Sequence, residues 1–353
     1  MRGDQSFLPT DLAPPRLSKA RIIERQRFDV RRDLAWDLTC VCVAAPPGFG
    51  KTTLLAQWHD YARRANRAAA WLTCQETDQD VIYFTRRLIA SLVRATSTTK
   101  ETLSRSADAA FGLDVVAAAG VILAAIDEVR GPLMMFLDDF HHAESTETTA
   151  LMSRIVNNTK SDVHFVIGSR TIPAINITRL RASGEVLDLR STDLCFDEAE
   201  SHELVRRQTG SGFPKNAIDA ILARTEGWPI GVRLAAIALA EKPNMPVRKL
   251  LSGREPGLYH YLRDEVVSHL PPDLANFVNQ TAVLREFSAA LADHVRGTDD
   301  SYQLISRIEE QQFFILPLQE PGWYRYHPLF ADAFVEEGLS RTEEQVRAIN
   351  LKA

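Results

Sequence analysis

The stretch Ala45-Pro46-Pro47-Gly48-Phe49-Gly50-Lys51-Thr52-Thr53 decides the fold of this chain. An apolar run, Val41–Ala44, precedes it, and a run of helical character, Leu54–Trp58, follows it. The order strand, glycine-rich turn, helix is the context in which a phosphate-binding loop forms. Backbone N–H groups of such a loop converge on a phosphate, and the positive N-terminal end of the next helix adds attraction. The whole stretch is therefore predicted to bind the phosphates of a nucleotide.

Two side chains of this stretch have specific predicted roles. Lys51 is expected to reach the β- and γ-phosphates, and the Thr52 hydroxyl is expected to be a ligand of Mg²⁺. Ala45 stands where the strict pattern has its first glycine, but Gly48, Gly50 and Lys51 matter most for the phosphate cradle. The alternative is an ordinary loop that contains Gly-Lys-Thr by chance.

Length and composition indicate a soluble globular protein with more than one domain. The chain has 353 residues, 45% of them hydrophobic and 25% charged, and single domains usually have about 100–200 residues. The net charge of −5 argues against nucleic-acid binding by bulk electrostatics. The four cysteines lack metal-site spacing and are expected to be buried, reduced thiols in a cytoplasmic protein. The first residues have no apolar run behind them and are not expected to form a secretory signal, and the most apolar segment, Val115–Ile126, is too short to span a bilayer.

Strands alternate with helices over residues 16–196, behind an extended N-terminal arm at residues 1–15. This alternation predicts a parallel sheet flanked by helices. The N-terminal segment from Leu17 has helical character, and Arg16 just before it is a candidate contact of the nucleotide base or ribose. The predicted strands of this region are 38–44, 68–73, 133–137, 161–168 and 186–189, and the helices predicted between them are 52–64, 81–95 and 113–129.

Two aspartates, Asp138 and Asp139, follow the wholly apolar run Leu133–Leu137. Such a run is typical of a strand buried on both faces of a parallel sheet, and its carboxyl end opens onto the ligand crevice. Asp138 is expected to hold Mg²⁺, and Asp139 is expected to orient or deprotonate an attacking water. The alternative is a pair of aspartates that only caps the next helix. Arg170, which ends the following strand, fits a γ-phosphate sensor or a plain surface arginine.

The second half of the chain changes character after Phe196. Three helical segments predict a helical lid at residues 197–242, and Pro243 and Pro246 indicate a linker. Several helices and a hairpin around Gln319–Gly322 predict a winged-helix domain at residues 247–340, and a helical pattern begins at residues 341–353. Residues 257–340 contain thirteen acidic and five basic side chains, so the winged helix is expected to mediate regulation rather than to bind DNA.

The order of these motifs resembles the nucleotide-binding part of LuxR-type regulators built like the maltose-regulon activator, which belong to the STAND class of signal-transduction ATPases. The blocks that carry the resemblance extend over nearly the whole chain: 45–53, 137–141, 168–170, 225–231 and 324–330. The resemblance implies an α/β P-loop NTPase domain followed by a helical lid and a winged-helix domain. Relatives continue into a helical-repeat sensor and a helix-turn-helix, which this sequence lacks.

The resemblance also implies roles for two residues outside the first domain. Pro229 is expected to pack near the nucleotide base, and His327 is expected to approach the β-phosphate of bound ADP, although a purely structural His327 is the alternative. Relatives often have an arginine where this chain has Cys195, which weakens any contact assigned there.

Two hypotheses of function follow. The leading one is a switch controlled by ATP and ADP, with Mg²⁺ as the metal, slow regulatory hydrolysis, self-association in the ATP form and an unknown inducer or protein effector. The alternative is a metabolic P-loop enzyme such as a small-molecule kinase, for which Arg179, Arg181 and Arg190 are the candidate lid arginines.

Overall fold

The computed structural model describes residues 10–16, 22–96, 114–210, 214–242, 260–266, 270–284, 286–310 and 314–331, together with residues 247 and 268. The chain divides into two compact units: the first contains the residues up to Ala45 and Gly50–Asp193, and the second contains Pro46–Phe49 and Leu194–Ala353. The tip of the phosphate loop is thus grouped with the second half of the chain. The linker prolines and residues 341–353 lie outside the described residues.

The first unit is a parallel five-stranded sheet with the strand order β2-β3-β4-β1-β5. Its strands are β1 (Cys40–Ala44), β2 (Ala68–Thr73), β3 (Leu133–Asp138), β4 (Val163–Ser169) and β5 (Val186–Leu189). Its helices are α1 (Asp29–Leu34), α2 (Lys51–Arg64), α3 (Val81–Ala95), α4 (Val115–Asp127), α5 (Thr146–Asn158), α6 (Thr178–Ala182) and, at the boundary, α7 (Ser191–Leu194). Every residue of β1, β3 and β4 is buried, as expected for central strands covered by helices on both faces.

This topology brings together the ends of strands that are distant in sequence. In register, Ala44 of β1 pairs with Ser169 of β4, and Leu137 of β3 pairs with Ile167 of β4. The carboxyl ends of these three strands therefore meet at one edge of the sheet, where open parallel sheets bind their ligands. The predicted α/β fold of this region is confirmed.

The N-terminal helix prediction is wrong in part. Ile22–Arg25 lie outside any helix, and only a 3₁₀ turn at Gln26–Phe28 and the short α1 follow. The Ile23 carbonyl accepts a hydrogen bond from the Gln57 side chain at 2.8 Å, so α2 satisfies it in place of a helical N–H. Ile23 and Phe28 of this segment are both buried, but they do not lie on one face of a helix as the apolar spacing predicted.

The described part of the N-terminal arm lies against β2, an edge strand of the sheet. The Asp11 carbonyl accepts a hydrogen bond from the Thr73 N–H at 2.8 Å. The Asp11 carboxylate also accepts a hydrogen bond from Gln75 at 2.8 Å and lies 3.4 Å from the buried guanidinium of Arg87. The arm is therefore attached to the domain by backbone and side-chain contacts.

The second unit begins with the three predicted lid helices, α8 (Glu198–Thr209), α9 (Lys215–Thr225) and α10 (Pro229–Glu241). After the π-helical turn Leu262–Val266, the remaining elements are α11 (Pro272–Thr281), β6 (Phe287–Ser288), α12 (Ala289–Arg296), α13 (Ser301–Glu310), β7 (Ile315–Pro317) and β8 (Trp323–Tyr326). The strands form an antiparallel sheet with the order β6-β8-β7. Helices followed by this small sheet form the predicted winged helix, although β6 was not predicted. None of the described helices is both long enough and apolar enough to cross a membrane.

Candidate nucleotide-binding site

The phosphate loop joins the end of β1 to the first residue of α2. Gly48 and Gly50 both have a φ of +81°, a left-handed conformation that glycine adopts without steric cost. Gly50 is the N-cap of α2, so the first N–H groups of that helix face the end of the loop without helical partners. This geometry is suited to binding an anion.

Lys51 is the buried cation of the loop. Its Nζ donates a hydrogen bond to the Ala45 carbonyl at 2.7 Å. Burial lowers the pKa of Lys51 to about 8, while the charges of Asp139 and Asp138 oppose this shift. A desolvated ammonium group gains most from an anionic ligand that approaches it directly, which fits the role predicted for Lys51.

Thr52 and Asp138 meet although 86 residues separate them in sequence. The Thr52 hydroxyl lies 3.2 Å from an Asp138 carboxylate oxygen. Burial, followed by the charge of Asp139, raises the pKa of Asp138 to about 7, and the Thr52 hydrogen bond counteracts the increase. A hydroxyl and a carboxylate at this spacing are oxygen ligands of the kind that Mg²⁺ prefers. A divalent cation would also relieve the cost of burying the carboxylate.

Asp139 leaves β3 with a φ of +52° and begins the 3₁₀ turn Phe140–His142. A non-glycine residue in the left-handed region is uncommon and often marks a functional site. The Asp139 charge acts on the pKa of both Lys51 and Asp138, so its carboxylate belongs to the same electrostatic cluster. Its role toward water stays a prediction.

Arg170 is half-buried directly after β4, and its charge helps to lower the pKa of Lys51. The structure therefore brings Arg170 into the same cluster. The preceding residue, Ser169, was not among the predicted site residues. Its hydroxyl is fully buried and has no hydrogen-bond partner among the described residues. A buried, unsatisfied hydroxyl at the edge where β1 and β4 end fits a contact to a phosphate oxygen or to water.

The tip of the loop is held by residues of the second unit, to which the tip itself belongs. The Ile230 N–H donates to the Gly48 carbonyl at 3.1 Å, and the Trp228 indole N–H donates to the Pro47 carbonyl at 3.3 Å. The Phe49 ring lies 6.4 Å from Trp228 and 6.2 Å from Phe314 between ring centroids. The sequence did not predict these contacts, two of which use loop carbonyls and two the Phe49 ring.

His327 lies in the second unit with both ring nitrogens occupied. Its Nε2 is 2.9 Å from the Thr225 carbonyl, and its Nδ1 accepts a hydrogen bond from the Leu329 N–H at 3.3 Å. Because Nδ1 accepts a hydrogen bond and Nε2 faces a carbonyl, this geometry corresponds to the neutral ring that donates from Nε2, and burial favours the neutral form by lowering the pKa of His327. To contact a phosphate, Nε2 would have to give up its hydrogen bond to the Thr225 carbonyl and donate to the ligand instead.

Three further predicted residues have clear positions. Pro229 is buried at the first turn of α10, immediately after Trp228. Thr53 is half-buried in the first turn of α2. Arg16 is exposed, and none of the contacts in the described part of the chain joins it to the residues of the phosphate loop.

Comparison with known proteins agrees with this organisation. The profile of the AAA ATPase domain matches residues 26–167, and that of the MalT winged helix domain matches residues 263–346. The chain is 27% identical over 330 residues to the serine/threonine-protein kinase PknK of Mycobacterium tuberculosis, covering 92% of this chain and 29% of PknK. It is 27% identical over 333 residues to the HTH-type transcriptional regulator MalT of Yersinia pestis, covering 92% of this chain and 36% of MalT.

The chain therefore spans roughly a third of the length of these curated relatives. Among solved structures, the Walker-type ATPase PABY2304 of Pyrococcus abyssi is similar in fold, with a TM-score of 0.57 and 13% identity over 89% of this chain and 96% of that one. The matches and the geometry agree on the architecture. The chain therefore combines a P-loop α/β domain that is similar to AAA ATPase domains with a winged-helix domain that is similar to the winged helix of MalT.

Proposed function

We propose that this chain is a nucleotide-controlled regulatory switch, the STAND-type ATPase module of a LuxR-type transcriptional regulator. The observation that carries the proposal is the position of the loop tip, Pro46–Phe49, within the lid and winged-helix unit. The loop flanks and Lys51 belong to the first unit, whereas the carbonyls of Pro47 and Gly48 accept hydrogen bonds from the lid. A nucleotide that moves the loop would therefore change contacts of the lid.

The residues of the first unit support nucleotide binding and slow hydrolysis. Bound Mg²⁺-ATP supplies the phosphoryl group and neutralises charge. Lys51 and the N–H groups at the start of α2 would hold the phosphates, while Thr52 and Asp138 would hold the metal. Asp139 would orient a water molecule and accept its proton, and Arg170 with Ser169 would contact the terminal phosphate.

The switch requires a nucleotide that binds two forms with different affinity. ADP would stabilise a closed form, in which His327 exchanges its Thr225 contact for a β-phosphate oxygen and Pro229 packs near the base. ATP would favour an open form that self-associates. A ligand must bind one form about 5.5 kcal/mol more tightly to move a population from 1:99 to 99:1, and a single hydrogen bond from His327 supplies only part of that difference.

The kinase alternative loses one of its candidate lid residues. Arg181 forms two hydrogen bonds with Asp188 of β5, at 2.9 and 3.1 Å, and is therefore fixed against the sheet. The name of the similar MalT protein supports transcription regulation, and the other relative, PknK, is named as a serine/threonine-protein kinase and not as a small-molecule kinase. Binding to DNA, if it occurs in the regulator, would then belong to a segment other than this winged helix, whose sequence is acidic.

The test begins with the nucleotide that co-purifies with the protein, identified after denaturation by chromatography. Fluorescent-ATP titration then compares the parent with Lys51→Ala and with Lys160→Ala, a matched loss of an exposed lysine that pairs with Asp127. We expect Lys51→Ala to abolish binding and Lys160→Ala to leave it unchanged. Light scattering of the ADP- and ATP-loaded parent then tests the switch. Binding by Lys51→Ala within twofold of the parent would refute the phosphate-loop assignment, and identical scattering in both states would refute the switch alone.

A further inference from the structure

A cavity of about 890 Å³ lies in the first unit, away from the nucleotide site. Its walls come from the last turns of α2 and α3, from residues 128–130 before β3, and from residues 12–14 of the arm. Since β2 and β3 begin beside it, the cavity lies at the amino end of these strands, opposite the edge that holds Asp138. Helix α2, about 20 Å long, separates it from Lys51.

The lining of this cavity is strongly cationic. It includes Arg63, Arg67, Arg94 and Arg130, and Glu128 is the one acidic residue among the described residues that line it. Within the described part of the chain, Arg63, Arg94 and Arg130 have no ion-pair partner. A cluster of four guanidinium groups beside a single acidic side chain, as the described residues of this concave surface have it, attracts anions.

Helix ends explain only half of this charge. Arg63 and Arg94 occupy the last turns of α2 and α3, where basic side chains stabilise the helix dipole. Arg67 and Arg130 lie outside helices, in the segments that lead into β2 and β3. The Arg67 guanidinium lies 4.3 Å from the centroid of Trp36, a contact that orients it without neutralising its charge.

The floor of the cavity is uncharged and aromatic. His59 and Trp71 both line it, with ring centroids 5.8 Å apart in an edge-to-face arrangement. Burial, with the charge of Arg63, lowers the pKa of His59 to about 4, so this ring is neutral near pH 7. Cationic walls around an aromatic floor fit a ligand with anionic groups on a planar body.

We propose that this cavity binds a small organic polyanion, a molecule that carries two or more phosphate or carboxylate groups on a ring-containing body. The volume falls within the range of about 300–1,000 Å³ that small-molecule sites occupy. The proposal does not rest on the function proposed for the nucleotide site, because the two sites share no residue.

The test uses a trisulfonated pyrene, a fluorescent aromatic trianion, and measures its binding by anisotropy. Arg67→Gln and Arg130→Gln should each raise the dissociation constant about fivefold, the upper range for one solvent-screened charge pair. Arg154→Gln is the matched control, because Arg154 is an exposed arginine of α5 outside the cavity. Lys51→Ala should leave probe binding unchanged, which separates the cavity from the phosphate loop.

Glu128→Gln is expected to tighten probe binding, an effect that misfolding of the variant would not produce. Removing the acidic side chain should tighten probe binding by about fivefold, and thermal unfolding of every variant checks that the fold is retained. The proposal is overturned by absence of saturable binding to the parent, by an equal loss in Arg154→Gln, by loss of binding in Lys51→Ala, or by unchanged binding in Glu128→Gln.

Discussion

Replacing Gly48 by alanine tests whether the loop tip is packed against the lid. A Cβ atom at this position would lie 2.4 Å from the Ile230 Cγ2 atom, 2.8 Å from the Tyr261 hydroxyl and 3.0 Å from the Trp228 indole nitrogen. The φ of +81° adds a backbone cost of about 1–2 kcal/mol for a residue with a Cβ atom. Overpacking adds about 1–3 kcal/mol. We therefore expect Gly48→Ala to lower the free energy of unfolding by about 2–5 kcal/mol.

Gly50→Ala is the matched control for this change. Gly50 has the same φ of +81°, but a Cβ atom there would meet nothing within 4 Å. Gly50→Ala should therefore lower the free energy of unfolding only by the backbone cost of about 1–2 kcal/mol. Urea unfolding of both nucleotide-free variants, followed by tryptophan fluorescence, measures the difference, which the packing predicts to be about 1–3 kcal/mol.

A second substitution tests whether the Ile230 side chain causes the destabilisation expected in Gly48→Ala. Ile230→Ala removes the Cγ2 atom nearest to the introduced methyl group, so it should recover part of the loss in Gly48→Ala while destabilising the parent. Residues in contact show coupling energies of about 0.5–3 kcal/mol in such a cycle. Equal destabilisation by Gly48→Ala and Gly50→Ala, or additive effects of Gly48→Ala and Ile230→Ala, would refute the packing.

Four further predictions concern individual residues. Asp139→Asn should retain ATP binding and lose hydrolysis, whereas Asp138→Asn should raise the Mg²⁺ concentration that hydrolysis requires. Phosphate release across a Mg²⁺ titration measures both effects. Parental rates in both variants would mean that the two aspartates have only a structural role. Ser169→Ala should keep or raise stability, because it removes an unsatisfied buried hydroxyl that costs about 1–3 kcal/mol, yet slow hydrolysis; an unchanged turnover rate would argue against a phosphate contact. His327→Ala should weaken ADP binding about ten- to a hundredfold, since a hydrogen bond to a charged group contributes about 1.5–3 kcal/mol, and should change ATP binding little. Calorimetric titration with both nucleotides measures the two affinities. Equal losses of affinity would indicate a contact that does not distinguish ADP from ATP. His59 has a folded-state pKa lowered to about 4 from 6.5, so the folded state binds fewer protons than the unfolded state between these pH values. The free energy of unfolding should therefore fall by about 3 kcal/mol as the pH falls from 6.5 to 4. Urea unfolding across this window should show a fall about 3 kcal/mol smaller in His59→Gln than in the parent, and parallel curves would contradict the shift.

The parts of the molecule that depend on local pattern were predicted well. The bounds of β2, α3 and β5 agree with the predicted bounds residue for residue, because apolar periodicity and flanking turn residues mark them. The phosphate loop and the aspartate pair are also local signals. The geometry of a parallel sheet also predicts that Asp138 lies near Thr52, since Asp138 ends β3 and Thr52 follows β1, and the carboxyl ends of these strands share one edge.

The parts that depend on distant contacts were not predictable in this way. Helix α5 begins with the polar run Thr146–Thr149 and is secured by the Ser145 capping box, and it was not predicted. Strand β6 has two residues and exists only because β8 pairs with it. The Trp228 contact with Pro47 joins residues 181 positions apart, and no spacing in the sequence signals it.

The attachment of the N-terminal arm has a consequence for the solubility of the first unit. Strand β2, with the sequence Ala-Ala-Ala-Trp-Leu-Thr, is apolar and borders the sheet, and an uncovered border strand of this kind is a template on which other chains can add. The Asp11 carbonyl occupies the Thr73 N–H, and the Asp11 carboxylate lies near Arg87. A short piece of the chain thus covers the carboxyl end of this border strand, and its detachment would expose backbone groups with which another chain could pair.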